Sequence, residues 1–233
     1  MTATHLAPIL VPDRAHLERG NILPPNAGGP QGDTYKLLRT QVLQRLDQLG
    51  ANTLAVLSPA ADHGNTLTAI NLAIATAAEF GRTALLVDLN LRDPAVHRRL
   101  GIEPKAGIES CLRGAMAAEQ VIVRIAGYER FAVMPCREPV ENSSELLSSQ
   151  RAMSLTEELR RRYVNRIIIF DLPPILPTDD ALAFSRTVQA GLIVVSDERT
   201  QREHLRRSLA LLGEMPIIGT VLNGARDTAG KRS

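Results

Sequence analysis

The chain has 233 residues, a formal net charge of +2 at pH 7 and a hydrophobic content of 44%. This length suits one α/β domain with a large core, and the nearly balanced charge argues against nucleic acid as a partner. The two cysteines form no CxxC motif, which disfavours a structural metal site. No apolar run reaches the roughly 18 residues of a membrane span and no signal peptide is visible. We therefore expect a cytoplasmic protein, in which any membrane role must come through a partner.

The first third of the chain predicts an arm, a helix and a strand–loop–helix unit. Residues 1–32 are rich in proline and glycine and predict a flexible N-terminal arm. Asp33 is expected to cap a helix that runs to about residue 48. A short apolar strand, 53–57, is followed by a loop and by an amphipathic helix that begins at Thr66. A strand, a loop and a helix N-terminus in this order are typical of a phosphate-binding P-loop.

The rest of the chain alternates strands with helices. Strands are predicted at residues 83–87, 131–134, 167–170, 192–195 and 217–222. Helices are predicted within 103–120 and at 142–149, 151–163, 178–188 and 201–213. This alternation predicts an α/β fold with a doubly wound, mostly parallel sheet flanked by helices. We assign residues 33–224 to this domain and residues 225–233 to a short tail.

Polar residues follow three of the predicted strands, at the edge where parallel sheets bind ligands. Thr66 could offer a hydroxyl to Mg²⁺, Asp171 could offer a carboxylate, and Asp88 could orient an attacking hydroxyl or bind a metal-bound water. Taken singly, a threonine at a helix start is an ordinary cap and an aspartate after a strand is an ordinary turn residue. Their common order along the chain favours a nucleotide site.

Six motifs appear in order between residues 33 and 223. They read DTYKLLRT from Asp33, SPAADHGNT from Ser58, LLVDLNLRDP from Leu85, NSSELL from Asn142, FDLPPIL from Phe170 and GTVLN ending at Asn223. Together they resemble the cytoplasmic domain of the bacterial tyrosine kinases of polysaccharide assembly, relatives of the MinD/ParA ATPases. The resemblance implies a P-loop NTPase fold, ATP or ADP with Mg²⁺ as cofactors, a membrane polysaccharide copolymerase or chain-length regulator as partner, and some homo-oligomerisation.

The resemblance also implies a role for individual residues. Thr66 and Asp171 would hold Mg²⁺, while Asp88 and Asn90 would occupy the catalytic positions. Lys36 and Arg39 would be available to a neighbouring subunit, in a weak self-association. The nucleotide would contact the loop, the first turn of the following helix and the closing asparagine, namely Ser58, Asp62, His63, Gly64, Asn65, Thr66, Leu67 and Asn223.

Four departures from the family pattern predict poor catalysis. Asn65 replaces the phosphate-binding lysine, Asp62 replaces a glycine, His63 replaces a glutamate and Asn90 replaces a second aspartate. A neutral hydrogen bond contributes about 1 kcal/mol where a charge-assisted one contributes roughly 1.5–3 kcal/mol. Asp62 adds a carboxylate near the β-phosphate and resists a positive φ. ATP binding and hydrolysis should therefore be weak or absent, as in a pseudokinase that serves as a regulatory subunit in exopolysaccharide or capsule biosynthesis and export.

Three alternatives stay open. The chain could be an active tyrosine autokinase, with Arg92 or a neighbouring subunit replacing the lost lysine. A ParA-like partitioning ATPase fits less well because a strongly basic arm is missing, and a MinD-like membrane cycler would need a C-terminal basic helix. The tail lacks a tyrosine, and we expect Tyr35, Tyr128 and Tyr163, which lie in or beside predicted elements, to stay unmodified.

Overall fold

The computed structural model describes residues 7–162, 165–197 and 199–225. Within these ranges the strands are β1 (Ile9–Leu10), β2 (Thr53–Leu57), β3 (Thr83–Asp88), β4 (Val123–Ile125), β5 (Phe131–Met134), β6 (Arg166–Asp171), β7 (Ala190–Ser196) and β8 (Ile217–Asn223). The helices are α1 (Arg14–Arg19), α2 (Gly29–Leu49), α3 (Asn65–Ala77), α4 (Val96–Leu100), α5 (Ile108–Leu112), α6 (Ala118–Val121), α7 (Ser143–Leu147), α8 (Gln150–Arg162), α9 (Asp180–Ser185) and α10 (Arg202–Leu212).

The strands form one sheet in the order β1-β4-β5-β3-β6-β2-β7-β8. Every neighbouring pair is parallel except β4 and β5, which are antiparallel. Each residue of β2, β5 and β6 is buried, as expected for strands covered by helices on both faces. The predicted doubly wound, mostly parallel α/β fold is confirmed. Among the described residues, no helix combines the length and the apolar character needed to cross a bilayer.

Alternate residues of the central strands point to two separate cores. Leu54 and Val56 of β2 belong to the core shared with α2 and α3, whereas Ala55 and Leu57 belong to the core shared with α8 and α9. The strand register matters more for function than the cores do. Asp88 at the end of β3 lies opposite Asp171 at the end of β6, and β2 ends on the other side of β6. The carboxyl ends of three central strands therefore meet at one edge of the sheet.

Residues 7–32 differ from the flexible arm that the sequence predicted. β1 pairs with β4, and three apolar side chains of this segment are at most 5% exposed: Leu17, Ile22 and Leu23. Their burial offsets the conformational entropy lost on ordering the segment. Proline content misled the prediction, because scattered apolar residues were enough to pack the segment on the domain.

The side chain of Asn71, in the middle of α3, connects this N-terminal segment to the domain through hydrogen bonds. Its side chain is fully buried, its Oδ1 accepts a hydrogen bond from the Leu23 N–H at 2.9 Å, and its Nδ2 donates to the Asn21 carbonyl at 2.9 Å. The Tyr128 hydroxyl donates to the Leu23 carbonyl at 3.0 Å. Two side chains thus satisfy the buried backbone of a segment that has little regular structure of its own.

The helix predicted from Asp33 begins four residues earlier. α2 starts at Gly29, with Pro30 in its first turn, and ends at Gly50 with φ 60°. Proline suits this position because its missing N–H has no partner in a first helical turn. Asp33 is therefore not the cap, and its carboxylate pairs with Lys36 at 3.1 Å.

Asn71→Ala should destabilise the protein by about 2 kcal/mol, since it leaves the Leu23 N–H and the Asn21 carbonyl buried without partners. Urea denaturation measures the loss, and hydrogen exchange should speed up at residues 21–23. Asn26→Ala is the matched control, because Asn26 is exposed. Equal stability of the two variants would contradict the role given to Asn71.

Candidate functional site

The loop between β2 and α3 is tied to the segment that follows β6. Ser58 is buried and its hydroxyl donates to the Ala60 carbonyl at 2.9 Å. The Ile175 N–H donates to the Ser58 carbonyl at 2.9 Å and the Leu176 N–H to the Pro59 carbonyl at 3.2 Å. Ser58 therefore shapes the loop from inside, and it is not among the residues that line the cavity described below.

Two loop residues adopt left-handed backbone conformations. Asp62 has φ 60° and Gly64 has φ 87°, so the loop does require the positive φ that the sequence analysis considered at Asp62. At Gly64 a Cβ atom would lie 2.1 Å from Nδ2 of Asn223, which itself donates to the His63 carbonyl at 3.0 Å. Only glycine fits there, and Asn223 touches the loop backbone as a structural partner.

His63 faces the β7–α10 connection. It is 4% exposed, and its Nδ1 lies 3.4 Å from the Thr200 hydroxyl. Burial lowers the pKa of His63, and the positive charges of His204 and Arg199 lower it further. His63 therefore supports the loop on this side as a neutral side chain.

Asn65, the first residue of α3, is directed into the protein. The side chain is buried, and its Nδ2 donates to Oδ1 of Asp171 at 3.1 Å and to the Leu172 carbonyl at 2.9 Å. A carboxamide nitrogen carries two hydrogens, and these two acceptors use both. Asn65 has no donor left for a ligand in this conformation.

Asp88 and Asp171 form a buried carboxyl pair on neighbouring strands. Both are fully buried. Burial raises the pKa of Asp171 to about 7, against hydrogen bonds from Thr66 and Asn65 that lower it. Burial and the charge of Asp171 raise the pKa of Asp88 well above its ordinary value, although the Asn90 N–H at 3.2 Å and the Val96 N–H at 3.1 Å donate to its two oxygens. Two ionised carboxylates side by side are unfavourable in this environment.

A cavity of about 300 Å³ opens in front of the loop. It is lined by Ala61, Asp62, Gly64, Asn65, Thr66, Asn90, Arg92, Asp93, Ala95, Arg99, Pro173, Pro174, Pro177 and Thr178. The structure thus brings five of the proposed site residues together on its wall. Leu67 is not one of them: its side chain packs against the core between the sheet and α3. The assignment of Leu67 to nucleotide binding stays a prediction, which its side chain does not support.

Thr66 and Asp171 fit the Mg²⁺ ion that the family resemblance implies. Oδ2 of Asp171 is buried and has no hydrogen-bond partner among the described residues. The Thr66 side chain hydrogen-bonds to the same carboxyl group and lowers its pKa. Hydroxyl and carboxylate oxygens coordinate Mg²⁺ directly or accept hydrogen bonds from its bound waters. These two residues would therefore hold the ion.

Arg92 is engaged within the domain. Its Nε lies 3.1 Å from Oδ2 of Asp180 and its Nη2 lies 3.0 Å from Oδ1. The Ser143 hydroxyl also donates to Oδ2 of Asp180, at 2.7 Å. Asp180 is fully buried, and a buried carboxylate needs such partners. This network joins two of the sequence motifs, and the sequence reasoning did not anticipate it.

Arg39 is not available to a neighbouring subunit in the way the sequence suggested. Its side chain is only 17% exposed and forms an ion pair with Glu79 at 2.9 Å, while its Nη1 donates to the Ala75 carbonyl at 3.5 Å. The helical pattern did not reveal that α3 packs beside this position. Lys36 is half exposed, so an interface role for Lys36 stays a prediction.

The described tyrosines are structural. Burial raises the pKa values of Tyr35 and Tyr128, and the hydroxyl of Tyr128 donates to a backbone carbonyl. Tyr163 and most of the tail, 226–233, lie outside the described residues. Within the described part, neither phenol is presented as a free acceptor of a phosphoryl group.

Comparisons with known proteins identify the relatives of this chain. No family model matches it. Tyrosine-protein kinase YwqD of Bacillus subtilis is 28% identical over 196 residues, which cover 83% of this chain and 81% of YwqD. The solved kinase domain of Escherichia coli tyrosine kinase ETK is 25% identical, with a TM-score of 0.77 over 87% of this chain and 78% of that one. The homologues of this chain are bacterial tyrosine kinases.

Other relatives are much longer. The succinoglycan biosynthesis transport protein ExoP of Rhizobium meliloti is 26% identical over 82% of this chain, but the match spans only 24% of ExoP. A more distant protein shares the fold. Cobyrinic acid a,c-diamide synthase from Mycobacterium smegmatis, solved with ADP and magnesium, superposes on this chain with a TM-score of 0.61 at 17% identity. That likeness concerns the P-loop ATPase fold alone.

The buried carboxyl pair predicts a stability that depends on pH. The pKa of Asp171 is raised in the folded state, so the folded protein retains a proton that the unfolded chain has lost, and stability falls as pH rises from about 4 to about 7. Asp171→Asn removes this titration. The variant should match the parent near pH 4 and exceed it by at least about 1 kcal/mol at pH 8, because one pKa unit corresponds to about 1.4 kcal/mol.

Urea denaturation at a series of pH values measures this difference. Asp33→Asn, which removes an exposed carboxylate, should follow the parent at every pH. A difference between Asp171→Asn and the parent that is constant from pH 4 to pH 8 would contradict the raised pKa of Asp171.

Proposed function

We propose that this chain is a kinase-like P-loop protein that regulates exopolysaccharide or capsule assembly from the cytoplasm, with weak or no ATP hydrolysis. The observation that carries the proposal is the engagement of Asn65, whose two amide hydrogens already donate to Asp171 and Leu172. At the position where the family pattern has a lysine, this residue offers neither a charge nor a free donor to a phosphate. Arginine fingers, which are cations at the γ-phosphate, raise the rate of phosphoryl transfer by a factor on the order of 10³–10⁵. We expect loss of the lysine to lower the rate by a similar factor.

Nucleotide binding would use the parts of the site that remain. Backbone N–H groups at the start of α3, with the positive end of the helix dipole, would hold the phosphates. Thr66 and Asp171 would hold Mg²⁺, which would supply positive charge to neutralise the phosphates. Asp62 lines the same cavity and its carboxylate would repel phosphate, so binding is expected to be weak.

A general base is the second part of the catalytic machinery that is weakened. Asp88 is fully buried, and both of its oxygens accept backbone hydrogen bonds, so it does not reach the cavity. Asn90 does line the cavity, but a neutral amide cannot accept a proton from an attacking hydroxyl at neutral pH. In this proposal Asp88 is a positioning residue that fixes the start of α4.

The proposed regulatory role rests on the relatives. Among them is a protein named for succinoglycan biosynthesis transport, of which this chain matches about a quarter. We place the chain at the inner membrane through a polysaccharide copolymerase partner, where binding of nucleotide would adjust the contact between the two proteins. Self-association is expected to be weak, because Arg39 is paired with Glu79.

An active tyrosine autokinase is the second candidate. The observation in its favour is the unpartnered Oδ2 of Asp171 beside Thr66, which preserves a place for Mg²⁺. It requires a cation that replaces the lysine during the reaction and a tyrosine that can reach the site.

Hydrolysis and phosphorylation assays separate the two candidates. The parent protein, incubated with Mg-ATP, should release little phosphate and show no phosphotyrosine by mass spectrometry. Asn65→Lys combined with Asp62→Gly should bind Mg-ATP at least about tenfold more tightly, or 1.4 kcal/mol, because it adds a cation and removes a repelling carboxylate.

Asn26→Lys controls for the added lysine, since it adds one positive charge at an exposed position, and it should bind Mg-ATP like the parent. Clear turnover of Mg-ATP by the parent, or phosphotyrosine at high occupancy in the parent, would overturn the proposed function.

A further inference from the structure

The cavity wall contains two guanidinium groups with different partners. Arg92 is bound to Asp180 in a two-point contact and also lies 3.6 Å from Asp179. Arg99 lines the same cavity and is exposed. Among the described residues, its side chain has no ion-pair or hydrogen-bond partner. A planar group with five donors is therefore free to bind an anion that enters the cavity.

The backbone of α4 is fixed on both sides of Arg99. At its start, Oδ2 of Asp88 accepts the Val96 N–H at 3.1 Å. At its end, Gly101 has φ 61° and packs against the His16 ring, where an added Cβ would lie 3.0 Å from Cδ2. Nε2 of His16 also lies 2.9 Å from the Arg98 carbonyl. The N-terminal segment and the buried carboxyl group thus hold the helix that presents Arg99.

The guanidinium of Arg99 shares the cavity wall with acidic residues. Asp62 contributes a carboxylate to the same cavity wall. Asp93, another acidic residue on the wall, pairs with Arg98 on the neighbouring helical position. A cation at Arg99 therefore offsets the remaining acid, Asp62, where phosphate would enter.

We propose that Arg99 is the phosphate-binding cation of this site and supplies from α4 the charge that Asn65 cannot supply from the loop. This inference rests on the proposed function and names its ligand class: a nucleoside di- or triphosphate whose phosphates lie between the start of α3 and the guanidinium. A guanidinium binds two phosphate oxygens at once. Arg99 gives affinity without restoring catalysis, because Asp88 and Asn90 still provide no base.

The test measures binding of a fluorescent N-methylanthraniloyl derivative of ATP by anisotropy, with the full chain, in Mg²⁺ and again in EDTA. Arg99→Ala should weaken binding about tenfold or more, as expected for loss of a charge-assisted contact. Arg45→Ala is the matched control: it removes an exposed arginine of α2 that is not part of the cavity wall, and it should change the dissociation constant less than twofold.

Arg99→Lys keeps the charge and loses the two-point geometry, so its affinity should fall between the parent and Arg99→Ala. Circular dichroism shows whether Arg99→Ala folds. If it does not fold, the affinity of Arg99→Lys provides the test. Three results would each overturn the inference: affinity of Arg99→Lys equal to the parent in that case, affinity of folded Arg99→Ala equal to Arg45→Ala, or no binding by the parent up to millimolar nucleotide. None of these results bears on the proposed function, which fails only if the parent turns over ATP or carries phosphotyrosine.

Discussion

The site depends on one buried carboxamide. Asn65 connects the start of α3 to the end of β6 through two hydrogen bonds, and a carboxamide nitrogen has no third hydrogen to give. A lysine in its place would carry a mobile charge on a long stem. Asparagine instead joins the loop to the strand beside it, and in our proposal this contact holds the fold together rather than recognising a phosphate.

The buried carboxyl groups of Asp88 and Asp171 organise the surroundings of that contact. Parallel pairing of β3 and β6 places them side by side, and burial raises the pKa of each. Asp88 uses its oxygens to fix the start of α4, which sets the position of Arg99 on the cavity wall. Within the described part of the chain, Oδ2 of Asp171 has no hydrogen-bond partner. An electrostatically costly pair thus serves both the geometry of α4 and the fit to a metal ion.

Local patterns were enough to predict the sheet and its flanking helices, because buried strands and amphipathic helices leave signals within a few residues. The N-terminal segment was mispredicted because its order comes from Asn71, which lies some fifty residues further along the chain. Arg39 was assigned to the surface because helical spacing cannot show that Glu79 lies beside it. Arg99 left no signal at all, since only the packing of α4 brings it to the cavity.

A crystal structure of the protein with Mg²⁺ and a non-hydrolysable ATP analogue would test the central claim most directly. The account predicts that Nδ2 of Asn65 stays within hydrogen-bonding distance of Asp171 and the Leu172 carbonyl while the analogue is bound. Movement of Nδ2 away from both groups and onto the β- or γ-phosphate would contradict it, because Asn65 would then be a phosphate ligand.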